Sequence, residues 1–118
     1  MALTTVLIIE DDPEMRDLIT IVLRDGFKII GHARDGEEGI RLAAKDPDVV
    51  VLDYVLPYMD GSEVGRRIRS VNPKIKILAF SAVDAARAAV DPQWADFFLP
   101  KSRVGDLPLV VEHLARAS

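Results

Sequence analysis

Three carboxylates, Glu10, Asp11 and Asp12, occupy consecutive positions directly after the apolar run VLII. Like charges crowded in this way repel, and the crowding demands a counter-charge. A fourth carboxylate, Asp53, follows the run VVVL, a hydroxyl, Ser81, follows ILAF, and an ammonium, Lys101, follows FFLP. Where carboxylates cluster without sharing a proton, a cation relieves the repulsion, and a site of oxygen donors alone suits Mg2+ rather than zinc. Lys101 and Ser81 can then hold a phosphoryl group, the ammonium as a point charge and the hydroxyl as a hydrogen-bond donor. An acidic site of this kind can turn one of its carboxylates into a phosphate acceptor. Singly, these residues say less. Asp12 reads as a helix cap, Asp53 as the opening of a turn before Leu56-Pro57, and Ser81 as a cap for the helix after it; Lys101 alone says little. Their joint placement carries the inference, and it depends on the elements that hold them.

Five short runs read as strands: VLII (6–9), FKII (27–30), VVVL (49–52), IKILAF (75–80) and FFL (97–99). Several are apolar on consecutive residues, as expected when both faces of a sheet are covered. Helix-length amphipathic segments lie between them. Met15, Leu18, Ile19, Val22 and Leu23 recur at helical spacing, with Asp12 as N-cap and Pro13 in the first helical position. A second helix is predicted over 36–45 with Ile40, Ala43 and Ala44 inward, and a third over 61–71 with Val64, Ile68 and Val71 as its apolar stripe. A short fourth helix spans 84–90, and a last one spans 104–116 on Leu107, Val110, Val111, Leu114 and Ala115. Asp25-Gly26, Asp35-Gly36, Asp46-Pro47, Asp60-Gly61 and Asn72-Pro73 punctuate the gaps. The strict βα alternation predicts an α/β domain with a parallel sheet wrapped by helices on both faces. In such sheets ligands bind outside the carboxyl ends of the strands, where all the chemistry-bearing residues above would fall.

Composition narrows the function classes. The chain has 118 residues, enough for one domain with a sizeable core. Its net charge of −4 argues against a general nucleic-acid surface. There is no cysteine, so disulfides, thiolate catalysis and cysteine-ligated zinc are excluded. His32 and His113 lie far apart without metal-ligand spacing. No apolar run approaches the length of a membrane span, and no signal peptide is visible, so a cytoplasmic protein is expected.

Four stretches carry a family resemblance: IIEDDPEMR after the first strand, VVVLDYVLPYMDG around Asp53, FSA at 80–82 and FFLPKS at 97–102. With them the chain resembles the receiver domains of two-component response regulators over essentially its whole length; D-x-x-L-P-x-M-D-G is the most specific motif. The resemblance implies a single receiver domain over 1–118 with a doubly wound, flavodoxin-like (βα)5 fold and a five-stranded parallel sheet of order 2-1-3-4-5. It implies that Asp53 accepts a phosphoryl group from a sensor histidine kinase in the presence of Mg2+. Asp11, Asp53 and the main-chain carbonyl of Val55 would contact the ion directly and Glu10 through water, leaving Asp12 as a variable third acid. Ser81 matches the hydroxyl that moves toward the phosphoryl group, Lys101 the lysine of the motif, and Phe98 the aromatic switch position. A phosphorylated carboxylate adds about −1.5 to −2 charge and three acceptor oxygens. Ser81 and Lys101 would be drawn to it, Phe98 would fill the vacated space, and the surface of the fourth helix, fifth strand and last helix would change. An output domain, a downstream protein or a second phosphorylated copy would read that surface. No direct contact with nucleic acid or membrane is implied, and no enzymatic activity beyond the domain's own phosphorylation and dephosphorylation.

The chain departs from the family pattern in places. Ser102 follows Lys101 where many relatives have proline, and Pro100-Lys101-Ser102 resembles the subgroup whose receivers precede a helix-turn-helix domain. Whether the chain is a stand-alone receiver or part of a longer regulator stays open. Trp94-Ala95 replaces the usual Gly-Ala before the last strand, and the segment from Ser81 to Lys101 is short, so the fourth helix is expected to be abbreviated. Trp94 is expected to anchor the core or its rim. Apolar Val55 and Val83 beside the site cannot position an attacking water, which predicts a long-lived phosphoryl group. Two other readings remain. A Mg2+-dependent aspartyl phosphohydrolase would want an acid where Val55 stands. A scaffold receiver that acts without phosphorylation would usually have lost the acids or the lysine.

Overall fold

The computed structural model describes residues 2–82 and 93–117. The helix predicted over 84–90, and Val83, lie outside the described residues. Consecutive residues of the strands point to opposite faces, and here both faces are apolar. Val6, Ile8, Val49 and Val51 enter one buried cluster, and their neighbours Leu7, Ile9, Val50 and Leu52 enter the other. That double burial makes one parallel sheet of five strands, β1 (Thr5–Ile9), β2 (Lys28–Ala33), β3 (Val49–Leu52), β4 (Lys76–Ser81) and β5 (Phe97–Pro100), in the order β2-β1-β3-β4-β5. The expected fold class and strand order are those observed.

Among the described residues, four α-helices cover the sheet: α1 (Pro13–Leu23), α2 (Gly36–Leu42), α3 (Gly61–Val71) and α4 (Leu107–Arg116). Helices α1 and α4 close one face with Ile19, Leu23, Leu107, Val111 and Leu114. The opposite face receives Val64 and Ile68 of α3 together with Trp94. Trp94 is fully buried, which makes it a core anchor. Gly65 makes room for it: a β-carbon there would run into the Trp94 main chain and ring.

Several element boundaries and faces differ from expectation. Strand β2 runs to Ala33 rather than ending at 30, because an edge strand paired only with β1 does not need an unbroken apolar run. The second helix is α only to Leu42 and tightens into a 3-10 turn over Ala43–Lys45, which turns Ala44 out to solvent. Val71 is 76% exposed, because it lies in the last turn of α3, beyond the sheet. The last helix begins as a 3-10 segment over Lys101–Asp106 and becomes α only at Leu107, with Pro108 in its first turn. No cis peptide occurs among the described residues, and Lys101–Ser102 is trans.

The strand ends are in register. Ile9 pairs with Leu52, Leu52 with Ala79, and Ser81 with Pro100. Glu10, Asp53, Ser81 and Lys101 therefore emerge at one edge of the sheet.

Candidate functional site

Each acid reaches the carboxyl edge by a different local device. Glu10 continues β1, with its amide donating to the Ala33 carbonyl at 2.9 Å, and Asp53 continues β3, donating to the Ile9 carbonyl at 3.1 Å. Both are locked into the ladder and buried, at 1% and 5% exposure. Asp12 caps α1, accepting from the Glu14 amide at 3.1 Å, as the sequence predicts. Asp11 stands exposed between them, and its carboxylate makes no hydrogen bond or ion pair among the described residues. The loop after Asp53 is held by Gly61, whose amide donates to the Tyr54 carbonyl at 2.7 Å. A β-carbon on Gly61 would lie 2.5 Å from the Asp53 carbonyl oxygen, so α3 can start this close to the site only with glycine.

Lys101, arriving from β5, bridges the two buried acids. Its ammonium donates to Asp53 Oδ2 at 2.9 Å and lies 2.6 Å from Glu10 Oε1. The second contact is a short ion pair, and Glu10 Oε1 has no partner besides that ammonium among the described residues. Glu10 Oε2 accepts from the Asp12 amide at 3.1 Å, and Asp53 Oδ1 from the Val55 amide at 3.2 Å. Ser81, 1% exposed, closes the end of β4. Val55 is half in solvent, and Phe98 is half-buried against the α2/α3 side of the core.

Electrostatics follows from this packing. Burial raises the Glu10 carboxyl from 4.5 to about 7, with the Asp53 charge pushing the same way and Lys101 and the Asp12 amide opposing. Burial alone would depress the Lys101 ammonium, but its contacts with Glu10 and Asp53 outweigh that and raise it. Carboxylate oxygens of Glu10, Asp11 and Asp53 all lie within 4.8 Å of one another. With one ammonium against three carboxylates, the fully ionised site is left with two uncompensated negative charges. An oxygen-only donor set, more carboxylates than the single ammonium balances and an unspent Asp11 together suit a hard divalent cation such as Mg2+.

The cleft holding these groups is small, about 220 Å3, whereas a groove beside Phe27 and Leu109 reaches about 560 Å3. The larger groove brings no comparable set of charges together, and chemistry rather than volume marks the site. The structure thus brings together Glu10, Asp11, Asp53, Ser81 and Lys101, with Val55 at the rim and Phe98 on the adjoining strand. Sequence reasoning missed two contributors. Asp60-Gly61 reads there as turn punctuation and as the end of the motif around Asp53, without a structural role, yet Asp60 caps α3 and Gly61 seats it against the Asp53 loop. Arg16 reads only as part of a motif, yet its Nη1 donates to the Glu10 carbonyl at 3.1 Å.

The sequence model of the response regulator receiver domain matches residues 6–107. A probable transcriptional regulatory protein, TcrX of Mycobacterium tuberculosis, is 41% identical over 83 residues, covering 69% of this chain and 35% of that protein. The receiver domain of the putative response regulator NarL from Mycobacterium tuberculosis superposes with a TM-score of 0.88 at 28% identity, covering 100% of both chains. TrrA from Thermotoga maritima, a response regulator solved in complex with Mg2+-BeF, superposes with a TM-score of 0.86 at 29% identity, covering 95% of this chain and 99% of that one. The chain spans between 25% and 54% of the length of the curated relatives it matches.

Proposed function

The chain belongs to the response regulator receiver domain family, and on that premise we propose that it is a phosphorylation-controlled signalling switch whose acceptor is Asp53. The observation that carries the proposal is the ammonium of Lys101 held between Asp53 and Glu10 in a buried pocket that still has net negative charge. Asp11, Asp53 and the main-chain carbonyl of Val55 would hold Mg2+ directly, and Glu10 through water. Bound there, the ion would neutralise the acids and the incoming phosphoryl oxygens.

The protein's own groups do the rest. A carboxylate oxygen of Asp53 forms the new P–O bond as the P–N bond to a sensor kinase's phosphohistidine breaks, and the imidazole leaves with the electron pair. Acetyl phosphate can replace the kinase as donor, with acetate leaving instead. Lys101 exchanges its bond to Asp53 Oδ2 for a phosphoryl oxygen, and the Ser81 hydroxyl donates to another. The added charge draws in Ser81, the last residue of β4 and the partner of Pro100 in β5, so Phe98 in β5 feels the change. The readout surface would be the helix predicted over 84–90 together with β5 and α4. An output domain, a downstream protein or a second phosphorylated copy would recognise it in the cytoplasm, without direct contact to nucleic acid or membrane. Residues 1–118 would act as one receiver domain, catalysing only its own phosphorylation and dephosphorylation. Val55 at the rim offers no carboxylate to activate a water, which disfavours the phosphohydrolase and supports a long-lived phosphoryl group.

Intact-mass measurement after incubation with acetyl phosphate tests this reading. One added phosphoryl group that requires both Mg2+ and Asp53 is expected. Steady phosphate release without an adduct would move the reading to a phosphohydrolase. An adduct that persists in Asp53→Asn would remove Asp53 as the acceptor.

A further inference from the structure

Besides the Glu10 amide's bond to the Ala33 carbonyl, four hydrogen bonds within residues 10–16 fix the main chain on either side of Asp11. The Asp12 amide donates to Glu10 Oε2 at 3.1 Å, and the Glu14 amide to Asp12 Oδ1 at 3.1 Å. The Arg16 amide donates to the Asp12 carbonyl at 2.9 Å, and the Arg16 guanidinium reaches back to the Glu10 carbonyl at 3.1 Å. The last of these is the unusual one. Strand β1 ends at Ile9, whose carbonyl still finds a rung in the Asp53 amide. The next carbonyl, that of Glu10, belongs to the peptide that carries Asp11 and accepts from no backbone amide among the described residues; β2, the neighbour to which the Glu10 amide donates, has ended at Ala33. Arg16 takes the place of the missing strand. It is half-buried on α1, and its own carbonyl accepts from the Thr20 hydroxyl at 2.8 Å, so the guanidinium projects from a braced turn of helix.

We propose that Arg16 is a positioning residue for the cation site: by holding the Glu10 carbonyl it sets the plane of the Glu10–Asp11 peptide and so aims the Asp11 carboxylate. The inference rests on the reading of the site as a divalent-cation centre. It carries a sign that a simple charge argument reverses. A guanidinium beside a cation site repels the cation, so removing it should tighten binding if electrostatics were its only influence. If Arg16 orients a ligand, removing it loosens binding in spite of that, and losing such an outer partner typically costs a site 10- to 100-fold in metal affinity.

Titration of the metal-free protein with MgCl2, followed by backbone amide NMR shifts, reads affinity and folding together, with MgCl2 alone as the probe. Wild type, Arg16→Met and Arg16→Lys are compared, and the same pair of Arg16 variants is repeated in an Asp11→Asn background. The expected result is an affinity loss of about tenfold in Arg16→Met with a dispersed, native spectrum, and partial recovery in Arg16→Lys, which keeps a donor at the end of the chain. In the Asp11→Asn background Arg16→Met is expected to cost less than about twofold, because the ligand it positions is already gone. Unchanged or tighter binding in Arg16→Met overturns the proposal, and so does a loss of equal size in both backgrounds. If Arg16→Met does not fold, Arg16→Lys decides: affinity equal to or above wild type overturns the proposal. Wild type that takes up no Mg2+ would instead strike at the cation reading itself, and the inference would fall with it.

Discussion

Strand β3 has an aspartate at each end, Asp48 before it and Asp53 after it, and the two live in opposite circumstances. Asp48 is exposed, and its Oδ2 accepts from the Thr5 amide at 2.9 Å and the Thr5 hydroxyl at 3.1 Å, while its own amide donates back to that hydroxyl at 2.9 Å. Its Oδ2 and its amide tie β3 to β1. Asp53 is buried beside two other carboxylates, with one shared ammonium for compensation. The same residue type is a structural clasp at one end of a strand and a charged, poised group at the other. What differs is strand direction: the ends of all five parallel strands meet at the carboxyl edge, so charges from distant positions converge there.

The contrast can be broken most forcefully at Lys101. Lys101→Met leaves Glu10 and Asp53 facing each other without compensation, and a loss of about 3 kcal/mol is expected at pH 8 without metal. Chemical denaturation should show the loss shrinking at pH 5.5, where Glu10 takes up a proton.

Next is the pH dependence of the wild type. The folded protein holds the Glu10 proton more tightly than the unfolded chain, with the carboxyl moving from 4.5 to about 7. Its contribution to stability is therefore fully present below pH 4.5 and is lost as pH rises through 7, a decline on the order of 3 kcal/mol. Glu10→Gln should flatten that slope in denaturation curves collected across this range. Mg2+ should raise the thermal midpoint more at pH 8 than at pH 6, since the ionised Glu10 adds a negative charge beside the ion and accepts from its water.

At the opposite edge, Asp48→Ala should cost about 1 kcal/mol, with little pH dependence between 6 and 8, and leave phosphorylation from acetyl phosphate intact. Loss of phosphorylation in that variant would erase the distinction between the two edges.

The smallest effect belongs to Tyr58, on the loop between the site and α3. Its φ is 70°, its peptide neighbours close a γ-turn through the Met59 amide and the Pro57 carbonyl at 2.8 Å, and its side chain is 101% exposed. A left-handed tyrosine with no packing in return is strained. Tyr58→Gly should stabilise the protein by about 0.5 kcal/mol, the relief being partly offset by the freer unfolded chain.

The sequence made the sheet legible because a strand buried on both faces leaves an unbroken apolar run: VVVL is β3 to the residue, and α3 also begins and ends where its pattern does. Legibility failed where burial is one-sided or local. Edge strand β2 includes Gly31 and His32, which no apolar run would predict. The 3-10 turns over Ala43–Lys45 and Lys101–Asp106 leave the hydrophobic period nearly unchanged, so only the outward Ala44 and the later start of α4 betray them. At the site, the residues could be read from their positions after strands, but their pairing could not. That Lys101 reaches Glu10 as well as Asp53, and that Arg16 fills a missing rung, are facts of side-chain reach across strands.

The central claim is that Asp53, and no other acid of the crowded edge, accepts the phosphoryl group. Reducing the acetyl phosphate–treated protein with borohydride converts an acyl phosphate into an alcohol, and peptide mapping then locates it. Homoserine in place of Asp53 alone is the predicted result. Homoserine at position 11, 12 or 48, or a borohydride-resistant phosphate ester on Ser81, would contradict it.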